Sequence, residues 1–194
     1  MDEYHLVGDY CLSTNGEVRT VLLVSNTAFE EIRTIYLDYR SRSSVTLCRI
    51  LAAKAWKREY RWLPAPEEFD ITAMRHGEAA VMIGDRCFEY ARHFRYRLDL
   101  GLEWKRFTGL PFVFACWVSA RQLPEQFITL FNKALGEGLA RRNESVTLLK
   151  EGTAATPEEV IFYLNHNMDY RLDDRKREAL ACFIDYIKEL KIIP

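Results

Sequence analysis

No apolar run in this sequence approaches the roughly 20 residues that a helix needs to cross a bilayer. The opening MDEYHLVGDY is acidic and lacks the basic, apolar and small-residue order of a signal peptide, so a cytoplasmic protein is expected. Neither charge dominates. Against 27 Lys and Arg stand 28 Asp and Glu, for a net charge of −1, which gives no electrostatic footprint for nucleic acid or a membrane surface. The cysteines number five, Cys11, Cys48, Cys87, Cys116 and Cys182. They are widely spaced and mostly set in apolar segments, which predicts buried free thiols and no metal site. Also missing are a glycine-rich phosphate loop, a nucleophile elbow, internal repeats and low-complexity segments.

With 48% hydrophobic and 28% charged residues, the composition is that of a globular protein. Its 194 residues suffice for one large domain or two small lobes. The stretch Leu98 to Val118 (LDLGLEWKRFTGLPFVFACWV) organises the rest. A charged, amphipathic segment leads to Thr108-Gly109-Leu110-Pro111, a turn expected to leave amides and a hydroxyl free, and then to an apolar run expected to be a buried strand. Upstream, residues 5 to 16 look irregular and end at Asn15-Gly16. Val18–Ser25, Ile35–Leu37, Tyr60–Leu63 and Ala79–Ile83 are predicted strands. Between them lie an amphipathic helix from the Ser41-Arg42-Ser43-Ser44 segment to Trp56 and a shorter helix over Phe69–His76. That alternation is parallel α/β construction. Beyond the organising stretch only helices are expected: Pro124–Arg141, one opened by the Thr156-Pro157-Glu158-Glu159 capping box, and Asp173–Leu190.

In open α/β sheets ligands sit beyond the carboxyl ends of the strands. Three loops qualify as candidates: Arg42, Ser43 and Ser44; Gly84 and Asp85; and Thr108 and Gly109. A helix start offers free amides and a partial positive charge, so Ser43 and Ser44 suit a carboxylate or phosphate, with Arg42 adding charge. The same serines also make an ordinary N-cap, Asp85 also suits the cap of a following helix, and Thr108-Gly109 also makes a plain turn. The four histidines are expected at the surface, and Trp104 and Trp117 in the core.

Four segments, VRTVLLVS (18–25), SRSSVTLCRI (41–50), AVMIGD (80–85) and LDLGLEWKRFTGLPFVFACW (98–117), occur in an order and spacing that resembles the menaquinone-biosynthesis family of the futalosine route. Within it the chain is more similar to the chorismate dehydratases than to the sister naphthoate synthases. The resemblance implies an α/β fold like type 2 periplasmic binding proteins, with two lobes enclosing a cleft. Residues 1–33 and 112–194 would form lobe 1 and residues 34–111 lobe 2. It implies loss of water from chorismate, a small dianion, to give 3-[(1-carboxyvinyl)oxy]benzoate, with no cofactor and no metal. Ser43 and Ser44 would hold a carboxylate, and Gly84-Asp85 and Thr108-Gly109 would follow. Family members open with a βαβ segment, and Met1 falls after it. An incomplete first lobe with exposed apolar sheet, prone to self-association as a homo-oligomer, is therefore expected. A non-catalytic binding module for small anionic metabolites on the same fold is the competing expectation.

Overall fold

The computed structural model describes residues 4–192 apart from Tyr39, Glu67 and 149–153, and is mixed α/β with two sheets. Met1, where the incomplete first lobe is expected to open, and Tyr39 of the loop before the first helix lie outside the described residues. The elements run β1 (His5–Thr14), β2 (Val21–Ser25), β3 (Thr34–Leu37), α1 (Arg42–Ile50), β4 (Arg61–Pro64), β5 (Glu78–Ile83), α2 (Arg86–Tyr90), β6 (Tyr96–Asp99), α3 (Leu100–Thr108) and β7 (Phe112–Ser119). There follow α4 (Glu125–Ala140), α5 (Arg142–Leu148), α6 (Pro157–Phe162), β8 (Asp169–Arg171) and α7 (Asp174–Glu189).

One sheet has the order β4-β3-β5-β2-β6. In it β3 is parallel to β4 and β5, as the helix–strand alternation predicts, while β2 is antiparallel to β5 and β6. The second sheet, β7-β1-β8, is antiparallel. β2, which falls within residues 1–33, lies in the same sheet as β3 to β6. All five residues of β2 are buried, so it needs partners on both edges, and it finds them in β5 and β6 rather than beside β1. The chain passes into the five-stranded sheet between Thr14 and Val21.

Asp99 fixes that passage. Its carboxylate accepts the amides of Val18 and Arg19 (2.7 Å for Arg19) and caps α3 through Leu102. Burial pushes its pKa up despite these bonds. The first turn of α3 lies so close to the Asn15-Gly16 turn that a Cβ on Gly101 would meet the Gly16 carbonyl at 2.7 Å. The main core lies between the five-stranded sheet, α1 and α3, with Ile35, Leu47, Ile50, Leu51 and Trp104 fully enclosed. Beside the second sheet, Lys176 is buried with Nζ 2.7 Å from Asp169 and 2.8 Å from Asp173, tying β8 to α7. Burial alone would lower its pKa, but the hydrogen bonds it donates to these two carboxylates outweigh it and hold the ammonium charged.

Four expectations are corrected. Residues 5 to 14 are a strand, not irregular chain; Gly8 sits at φ +71 where the register shifts between Leu6 and Cys11, and this bulge breaks the alternation. Of Phe69–His76 only Ile71–Ala73 is helical, as one 3-10 turn. β8 interrupts the helical C-terminal region. The apolar run of β7 is buried only at Phe112 and Val113, and Trp117, expected in the core, is 52% exposed. The capping box at Thr156 is present as expected, and Asp173 caps the last helix. No helix among the described residues is long and apolar enough to cross a membrane.

Candidate anion-binding groove

β3 ends at Leu37, and Asp38 after it is buried. The Arg40 guanidinium holds its carboxylate at 3.0 and 2.7 Å, and the Arg40 amide adds a third bond at 3.0 Å. Burial alone would raise the Asp38 pKa, but the Arg40 bonds and charge outweigh it and hold the carboxyl below its usual range. The Arg86 charge contributes too. With Asp38 neutralised by Arg40, what remains at the loop is positive.

Ser41 caps α1. Its Oγ accepts the Ser44 amide at 3.2 Å and donates to Ser44 Oγ at 2.8 Å. Ser44, only 2% exposed, is therefore part of the cap and not of a surface. The amides of Arg42 and Ser43 have no intrahelical acceptor. Two cavities flank this start. The smaller, of about 280 Å³, is lined by Asp38, Ser41, Arg42, Arg49 and Trp62. Arg49 lies over the Trp62 ring at 5.7 Å. The larger, of about 650 Å³, is a mostly apolar groove that Ser43 enters at one side. Its walls come from Val113–Cys116 of β7 and from Leu180, Phe183, Ile184 and Lys188 of α7.

A helix start beside an apolar wall suits a ring that carries a carboxylate. The dipole supplies about 0.3–2 kcal/mol and each charge-assisted hydrogen bond about 1.5–3 kcal/mol. Lys188 adds a cation that sequence reasoning did not single out. The available signal was helical spacing, four residues from Ile184, which puts it on the border of the α7 stripe.

The other candidates stand apart. Gly84 and Asp85 are exposed, and neither lines either cavity. Gly84, at φ +66, donates its amide to the Thr20 carbonyl. Asp85 occupies the cap position of α2 without a side-chain bond to the helix. Thr108 is not free: its Oγ1 donates to the Trp104 carbonyl at 2.9 Å and accepts the Leu110 amide at 3.1 Å. Gly109, at φ +73, ends α3, and its carbonyl accepts from Arg175. This pair closes a helix and launches β7. All four histidines are exposed, and among the described residues no three His, Cys, Asp or Glu side chains converge as metal ligands.

Comparison with known proteins adds three findings. A family model described as "Menaquinone biosynthesis" matches residues 1–189. The chain is 26% identical over 205 residues to the chorismate dehydratase of Thermus thermophilus, covering 95% of this chain and 73% of that one. A crystal structure of a protein from Archaeoglobus fulgidus aligns with 99% of this chain and 75% of its own, with TM-score 0.69 at 15% identity.

Proposed function

The chain belongs to the menaquinone-biosynthesis family, and from that premise we propose that it is a chorismate dehydratase, a hydro-lyase acting on a small dianion. The reaction removes the ring proton at the carbon bearing the enolpyruvyl ether together with the neighbouring hydroxyl. Water leaves, and the ring becomes aromatic. Gain of aromaticity drives the outcome, so the protein's work is orientation and anion stabilisation. The observation that carries the reading is the α1 start opening at Ser43 onto an apolar groove. One substrate carboxylate lies against the Arg42 and Ser43 amides and accepts from the Ser43 hydroxyl, the ring lies on the β7 wall, and Lys188 balances the second charge. Two sheets, with β1 and β7 leading into and out of the five-stranded one, support a two-lobed arrangement like type 2 periplasmic binding proteins.

The test is incubation of the purified protein with chorismate, with chromatographic and mass detection of 3-[(1-carboxyvinyl)oxy]benzoate. Product is expected, and Ser43→Ala lowers kcat/KM by about tenfold through loss of one hydrogen bond to a charged group. Saturable binding of chorismate without turnover would instead identify a binding module.

A further inference from the structure

Cys11 of β1 and Cys116 of β7 are register partners in the antiparallel pair. Residues directly opposite in such a pair point to the same face, with Cα atoms about 4.5–5.5 Å apart and Cβ atoms in a similar range. A disulfide takes Cα separations of about 4.4–6.8 Å and Cβ separations of about 3.5–4.5 Å, so at most about 1 Å of closing is needed. The two thiols share one apolar cluster with Val113, Leu172 and Leu180. Both are free. Cys11 is buried, its thiol beside Ser13 Oγ at 3.5 Å, whereas Cys116 is partly exposed and lines the groove that Ser43 enters. The fully enclosed Cys48 lies in the main core, away from this pair.

We propose that Cys11 and Cys116 form a reversible oxidation site, closed to a disulfide by hydrogen peroxide. The Cys116 sulfur attacks peroxide, the O–O bond breaks, and sulfenic acid and one water result. The Cys11 sulfur then attacks the Cys116 sulfur, forming S–S and breaking S–O, with loss of a second water. Two electrons pass from the two thiols to the peroxide, and a dithiol returns them. Burial raises both thiol pKa values; toward Cys11 the charged neighbours are Lys176, which opposes that rise, and Asp169, which adds to it. Oxidation is therefore slow compared with that of an exposed thiolate. The bond pins together the two strands that lead into and out of the five-stranded sheet and removes a thiol from the groove wall. It does not depend on what the groove binds.

The native protein is treated with hydrogen peroxide, remaining thiols are blocked before unfolding, and intact and peptide masses are read. The expected result is a loss of two hydrogen masses and a single cross-linked peptide pair joining Cys11 to Cys116. Dithiothreitol reverses it, Cys182→Ser retains it and Cys116→Ser abolishes it. The oxidised form melts at a higher temperature, since the link constrains the unfolded chain. Oxygen added to Cys116 without a cross-link, a link to Cys182 instead, or both thiols unchanged would overturn the assignment.

Discussion

Around the five-stranded sheet, Ile35, Leu47, Ile50 and Trp104 are enclosed on every side, whereas beside the three-stranded sheet Trp117, Val118, Phe127 and Leu130 stand in solvent. α4 carries an apolar stripe and has no buried residue. The two regions differ in how completely their apolar side chains are covered. Area removed from water is what stabilises, at about 25 cal/mol per Å², so the same aromatic side chain counts heavily in one region and little in the other. A hydrophobic pattern records which face is apolar, not what covers it.

The sharpest way to break this comparison is a pair of truncations. Trp104 is fully buried, donates Nε1–H to the Pro111 carbonyl at 2.9 Å, and packs edge-on to Phe112 and Phe183. Trp104→Ala costs about 3–5 kcal/mol in urea unfolding. Trp117→Ala costs less than about 1 kcal/mol, because half of that side chain is already wet. Equal losses would show that the second region is covered in solution.

Next in size is the cap. Ser41→Ala removes the acceptor of the Ser44 amide and costs about 1 kcal/mol, while Ser41→Gly costs a few tenths. Thermal melts of both variants check this. The acid limb of stability follows the Asp38 carboxyl. Because its folded pKa lies below the ordinary 3.8, its contribution is complete above that value and disappears as pH falls through the lower folded value. Asp38→Asn flattens that limb of a stability–pH profile, and an unchanged profile would show that Asp38 is not held by Arg40. Smallest of all, Leu130→Gln, at a residue 68% exposed, changes stability by no more than about 0.5 kcal/mol.

How far the sequence foretold this structure depends on whether a signal is local. The capping box at Thr156 and the serine start of α1 both act within one turn and were legible. β1 was not, because the Gly8 bulge, with Asn132 accepting the Asp9 amide, breaks its alternation. The sheet to which β2 belongs depends on partners far along the chain, and no nearby residue announces them. At the groove, the helix start was legible, but Lys188 and the β7 wall meet it only through tertiary packing. Thr108 looked free because its partner, the Trp104 carbonyl, belongs to a helix whose end the sequence left open.

The antiparallel position of β2 has a consequence for synthesis. Val21 pairs with Ile83 and Leu22 with Asp99, so both neighbours of this apolar strand are translated long after it. At about 5–20 residues per second, VLLVS waits on the ribosome for several seconds with neither edge occupied. During that interval the nascent chain is a natural client for a holding chaperone, and slowed translation between β2 and β6 lengthens its exposure to aggregation.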